Sequence, residues 1–124
     1  MTITTETGAA WAARLYADVD AMDAHAFAAN FAADGELHFG NADAVAGPEA
    51  IEAAIGGFFG MIKGIKHDVL AAWREDDAVF CDIRVTYTRM DGSTVTLPAA
   101  TLSRLDGDEI RDFRIYTDQA PLFA

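Results

Sequence analysis

From Ala78 to Asp118 apolar and polar residues alternate with a period of two, the mark of half-buried strands. The pattern predicts three antiparallel strands, Ala78 to Arg89, Ser93 to Leu105 and Glu109 to Asp118. They are joined by turns at Met90-Asp91-Gly92-Ser93 and Asp106-Gly107-Asp108, where Asp-Gly supplies positive φ angles. Pairing Met90 with Ser93 and Asp106 with Glu109 sorts the side chains onto two faces. One face collects Cys81, Ile83, Val85, Tyr87, Pro98, Ala100, Leu102, Phe113 and Ile115, and is almost wholly apolar. The other mixes Asp82, Arg84, Thr86, Thr101, Asp112, Arg114 and Tyr116 with Phe80, Val95, Leu97 and Ala99. An apolar sheet face needs a cover, and only the first 65 residues can supply it.

That N-terminal part has helical spacing. Thr5 or Thr7 caps a helix carrying Trp11, Leu15, Val19 and Met22 at successive turns, after a frayed Met1 to Thr5. Asp23 caps a second, shorter helix with Phe27 and Phe31 on one face, ended by Asp34-Gly35. Glu36 to Gly40 follows as a short strand and Asn41 to Ala46 as loop. Gly47-Pro48-Glu49 opens a third helix, since proline at the first helical position loses no hydrogen bond. Its stripe is Ile51, Ile55, Phe58, Phe59 and Ile62, weakened at Gly56 and Gly57. Lys66 to Arg74 is a strand with His67, Val69, Ala71 and Trp73 on one side, and Leu122 and Phe123 are apolar enough to dock a C-terminal tail. The expected fold is α+β: a curved, cone-shaped antiparallel sheet with three N-terminal helices on its concave face, an α+β roll enclosing a pocket.

Composition narrows the function. The 124 residues predict one domain over 1–124, and 52% hydrophobic content allows a core. A net charge of −11 argues against nucleic acid and anionic membranes as partners. No apolar stretch is long enough to span a bilayer and no secretory leader is read at the start, so a cytoplasmic location is expected. The lone Cys81 reads as a packed side chain. His, Asp and Glu do not cluster at ligand spacing, which predicts no metal site. Nucleophile-elbow, phosphate-loop and dinucleotide motifs are absent.

The run FAANFAADGELHF, the segment GPEAIEAAIGGFF, the three-strand meander and the ending IRDFRIYTDQAPLF resemble the nuclear transport factor 2-like superfamily, and within it the SnoaL-like branch. That resemblance implies the cone fold and pairing of two copies through the outer sheet face; without it the mixed face reads equally as solvated. It also implies activities from isomerisation, cyclisation and dehydration to epoxide hydrolysis, run without a cofactor, alongside non-catalytic binding modules. The carboxylates of similar enzymes do not carry over. The base position of the steroid isomerases falls at Phe39, their second acid at Ala100 or Thr101, and their helix tyrosine at Leu15 beside Tyr16. A third-strand aspartate of the epoxide hydrolases falls at Ile115, and Asp82 and Arg84 lie on the mixed face.

Candidate chemistry therefore rests on few side chains in an apolar pocket for a small hydrophobic molecule. His67 is a potential general acid or base, Tyr87 the main polar group on the apolar face, and Asn41 a polar side chain at the expected mouth. Tyr16 joins them only if its helix is rotated from the Trp11/Leu15 stripe. Phe39, Trp73, Ala100 and Ile115 are expected to line the ligand. Each has an ordinary structural alternative: an edge histidine, a rim tyrosine, a loop asparagine, a core tryptophan. His25 and His38 are expected to be exposed. The two functional readings are a cofactor-free acid–base enzyme and a module that holds a hydrophobic ligand or a partner. A histidine or carboxyl with a shifted pKa inside the cavity favours the first.

Overall fold

The computed structural model describes residues 6–124, so the fraying expected at Met1 to Thr5 lies outside it. The elements in order are α1 (Gly8–Asp20), α2 (Ala24–Ala28), β1 (Phe31–Phe39), β2 (Val45–Ala46), α3 (Pro48–Phe59), β3 (Gly64–Glu75), β4 (Ala78–Thr88), β5 (Thr94–Asp106) and β6 (Glu109–Thr117), then a 3-10 turn at Ala120–Phe123. The strands form one curved, unclosed sheet in the order β2-β1-β6-β5-β4-β3, with the helices packed against it. The α+β cone expected from the pattern is present, with one change: β1 runs parallel to β6.

The helix starts follow their local chemistry. Thr7 Oγ1 accepts from Ala10 N at 3.1 Å, and Asp23 Oδ1 from Ala26 N at 3.0 Å. The second helix stops at Ala28, and Phe31 to Gly35 already belongs to β1. Asp34-Gly35 is a break within that strand, where pairing with β6 shifts between Phe31 and Glu36. A Cβ on Gly35 would stand 2.6 Å from the Ile110 carbonyl oxygen and 3.0 Å from that of Ala32, so the crossing requires glycine. The segment expected to be loop holds the two-residue β2, paired with β1 at Glu36 and Leu37.

The last four strands stand where the alternation places them, but their pairing departs from a regular expected register in three places, one of them in β3. Arg89 N donates to Ser93 O at 2.7 Å and Gly92 has φ 89°, so Met90, Asp91 and Gly92 form a three-residue loop. Thr88 therefore pairs with Thr94, one step from the expected register, and β5 turns over. Leu97, Ala99, Thr101, Ser103 and Leu105 face inward and are buried, while Pro98, Ala100 and Leu102 face out. A bulge at Arg111 in β6 compensates, so Phe113 and Ile115 remain inside, opposite Ser103 and Thr101. A second bulge at Leu70 splits β3 between Val69 and Ala71. Ile65, His67 and Val69 face inward before it, and Trp73 faces outward after it, opposite Phe80.

Helix α1 lies along β3 through a row of residues four apart: Gly8, Ala12, Tyr16 and Asp20. A Cβ on Gly8 would stand 3.1 Å from the Trp73 carbonyl carbon, so the small residues of this row set how close the helix comes. Beside it, Trp11 and Leu15 fill the core with Cys81, which is fully buried. Gly57, by contrast, has open space where a Cβ would be. Replacing Gly35 by Ala is expected to lower stability by about 1–3 kcal/mol, because the obstacles are backbone oxygens. Gly57→Ala is expected to raise it by about 1 kcal/mol through helix propensity. Urea midpoints at unchanged slope read both; the opposite order would contradict this account.

Candidate functional site

The inner sheet face and the helices enclose a cavity bounded by α1, α2, α3 and strands β1 and β3 to β6. Its atom-free space, counted out through the mouth, is about 540 Å³, of which the centre of a water-sized sphere can occupy about 50 Å³. Seven aromatic side chains line it, among them Phe27, Phe39, Phe58 and Phe113, with Ile115 between them. Among the described residues only Tyr16, His67, Tyr87 and Thr101 bring polar side-chain atoms to the lining, and no charged side chain reaches it.

His67 is the group with chemical potential. Its ring Nδ1 lies 2.6 Å from Asp20 Oδ1, and its backbone N donates to the same oxygen at 3.0 Å. A carboxylate only accepts, so Nδ1 carries the proton and Nε2 presents its lone pair. Nε2 has no hydrogen-bond partner among the described residues. The Tyr16 ring stacks on the imidazole at 4.6 Å between centroids, with 20° between planes. Burial pushes the His67 pKa below its ordinary value of 6.5, against the opposing pull of the Asp20 carboxylate. The ring is therefore a neutral base at neutral pH.

Two hydroxyls complete the set. Tyr16 Oη and Thr101 Oγ1 are 2.7 Å apart, and burial pushes the Tyr16 phenol far above the usual tyrosine range. Tyr16 can donate a hydrogen bond but does not ionise near neutrality. Tyr87 Oη accepts from Gln119 Nε2 at 3.0 Å; burial raises its pKa too, with Gln119 acting against the rise. Phe58 meets the Tyr87 ring edge-on at 6.1 Å and Phe39 at 5.6 Å, which packs the half-buried end of the cavity.

Of the residues singled out in the sequence, His67, Tyr87, Tyr16, Phe39 and Ile115 line this cavity. Tyr16 reaches it because the buried face of α1 is wide enough to hold both the Trp11/Leu15 and the Ala12/Tyr16 rows. Three do not. Asn41 is exposed in the turn after β1, away from the lining. Trp73 is 57% exposed on the outer face, turned there by the Leu70 bulge. Ala100 is also on the outer face, because the three-residue loop flips β5 and brings Ala99 and Thr101 inside. His25 is exposed as expected, whereas His38 is three-quarters buried at its side chain, 2.9 Å from Asp112. Asp20 was not among the candidates; its signal is its spacing of four from Tyr16 on the helix face. Among the described residues no group of three His, Cys, Asp or Glu is arranged to hold a metal ion.

The Asp20–His67 pair makes a signed prediction. Asp20→Asn removes the two larger influences that raise the His67 pKa and leaves only the smaller pull of Asp68, so its NMR titration midpoint should fall further below 6.5. A midpoint that rises or stays would contradict the arrangement. Between the folded value and 6.5 the unfolded chain binds the extra proton, so His67 makes stability fall as pH drops through that window. His67→Gln should flatten this part of the stability profile.

The fold is shared with known proteins. A family model described as a SnoaL-like domain matches residues 12–113. No curated protein matches the sequence significantly. Among solved structures, a protein of ketosteroid isomerase-like fold from Catenulispora acidiphila, in complex with trimethylamine, is 23% identical with a TM-score of 0.79, over 86% of this chain and 83% of that one. A putative SnoaL-like polyketide cyclase from Jannaschia sp. CCS1 is 17% identical with a TM-score of 0.75, over 99% and 95%. A putative hydroxylase, AclR, from Streptomyces galilaeus is 15% identical with a TM-score of 0.77, over 93% and 81%. The cone fold is repeated in these structures, and with the family match covering most of the chain the protein belongs to the SnoaL-like domain family.

Proposed function

We propose that the protein is an acid–base enzyme that removes a proton from carbon beside a carbonyl in a small, uncharged, hydrophobic molecule. The observation that carries this reading is the neutral His67 imidazole, oriented by Asp20 and facing an otherwise apolar cavity. The proton moves from substrate carbon to Nε2, and the imidazolium that forms is held against the Asp20 carboxylate. The charge appearing on the substrate oxygen is met by a hydroxyl donor, for which Tyr87 is the candidate. Isomerisation, aldol cyclisation and dehydration of a hydroxy-carbonyl compound share this step. The Jannaschia structure, named as a putative polyketide cyclase, is in keeping with such substrates. A lining without Lys or Arg favours uncharged ligands.

The outer sheet face supports a second reading, pairing of two copies. Trp73 and Phe80, with ring centroids 6.1 Å apart, align across the sheet with Leu102, next to Tyr116, which is 52% exposed. This apolar patch takes the place of the expected Val95 and Leu97, which face inward. Two chains of net charge −11 repel, so the contact should be strengthened by salt.

Deuterium incorporation into acetophenone and larger uncharged aryl ketones tests the chemistry. Wild-type protein should accelerate methyl or methylene exchange, with the rate rising through a pKa below 6.5 and then levelling. His67→Gln should reduce it by about 10²–10⁴-fold. If no ketone in the series exchanges faster with wild type than with the variant while still binding, the ligand-holding module is the correct reading. For pairing, sedimentation at micromolar concentration should give twice the 13.3 kDa chain mass, and Trp73→Glu should give the single chain. A wild-type monomer under these conditions overturns it.

A further inference from the structure

We propose that Gln119 is a positioning residue for Tyr87, delivered by the C-terminal turn, and that it fixes Tyr87 as a hydrogen-bond donor toward a substrate oxygen. This rests on the proton-abstraction reading given above. Residues 118–124 lie beyond the segment that matches the family model, which ends at 113, so the match carries no information about them.

A phenol offers one donor and one good acceptor direction. At Tyr87 the acceptor side is taken by the Gln119 amide N–H at 3.0 Å. The O–H has no acceptor among the described residues, although the side chain is only 4% exposed and lines the apolar cavity. A buried donor without a partner costs free energy unless something in the cavity accepts from it. The carbonyl oxygen of a ligand supplies that acceptor, and the amide behind the phenol strengthens the donor by polarising it.

The glutamine needs holding, because a free side chain of this length would lose rotamer entropy each time the bond formed. The chain end provides that support. Arg89, which closes the β4–β5 loop, donates from Nη2 to Pro121 O at 2.8 Å and from Nε to Leu122 O at 3.0 Å. Leu122 is 4% exposed within the core, and its backbone N donates to Gln119 O at 2.9 Å. Ala120 N is held by Asp118 Oδ1 at 3.0 Å. The turn is thus clamped on both sides of the residue that reaches Tyr87.

The test uses the full chain carrying ¹³Cζ-labelled tyrosine, which gives three resonances, with Tyr87 assigned by Tyr87→Phe. In Gln119→Leu the Tyr87 resonance should move at neutral pH while those of Tyr16 and Tyr116 stay. An unmoved Tyr87 resonance overturns the proposal whether or not any ketone exchanges. With acetophenone, Gln119→Leu should slow exchange by about tenfold, a fraction of the loss from deleting an oxyanion donor. The loss should fall on the rate at saturation and leave the half-saturating ketone concentration nearly unchanged. Gln119→Glu presents an acceptor that draws the phenol proton away from the cavity, so it should slow exchange as much as Tyr87→Phe does. Wild-type rates in both Gln119 variants, with Tyr87→Phe slow, refute the positioning role alone. A fast Tyr87→Phe with a slow His67→Gln refutes Tyr87 as donor and leaves the base intact. A fast His67→Gln sinks the proton-abstraction reading itself.

Discussion

One oxygen ties the molecule's chemistry to its packing. Asp20 Oδ1, at the last residue of α1, receives both the backbone N–H and the ring Nδ1–H of His67. The first bond fixes the helix end to β3, and the second fixes the imidazole tautomer. Both depend on α1 lying close along the strand, which the small side chains of Gly8 and Ala12 permit. A larger residue at Gly8 would push on the β3 backbone at Trp73 and Arg74, against the strand that carries His67. The core contact and the candidate base are thus one construction.

The sheet separates two tasks that share strands. Before the Leu70 bulge, β3 turns His67 into the cavity; after it, the same strand turns Trp73 to the outside. A bulge adds one residue to one strand and so reverses which face the following side chains occupy. The Arg111 bulge does the same for β6 and keeps Phe113 and Ile115 in the cavity. Among the described residues that line the cavity, polarity is confined to a base and three hydroxyls, each with a defined neighbour, while the inward Ser103 hydroxyl, outside that lining, is buried without a hydrogen-bond partner. In such surroundings a single hydrogen bond alters a pKa or a tautomer more than it would in water.

Much of this was legible from alternation and caps. The helix starts at Thr7 and Asp23 and the meander strands come from local rules that the structure obeys. Cys81, Ile83, Val85 and Tyr87 are sorted correctly because β4 is regular throughout. What escaped was every place where one residue more or less decides a face. Asp91-Gly92 fits a two-residue or a three-residue loop equally well, and the choice moved Ala100 out and Thr101 in. Bulges at Leu70 and Arg111 have no signature in hydrophobicity. The start of β1 is spelled with Ala32, Ala33, Asp34 and Gly35, residues of poor strand propensity that lie between Phe31 and Glu36, the positions paired with β6. Asp20 reads as the polar end of a helix, and its role exists only across the gap to a strand 47 residues later.

The narrowness of the cavity bears on affinity. A space in which a water-sized centre moves through about 50 Å³ does not admit an aromatic ketone without rearrangement. Where the conformer that admits a ligand is a fraction of the molecules, the apparent affinity is the intrinsic one multiplied by that fraction. If that conformer amounts to about 1% of molecules, binding is weakened about a hundredfold. A side chain that fills the cavity further would lower that population and weaken binding in proportion.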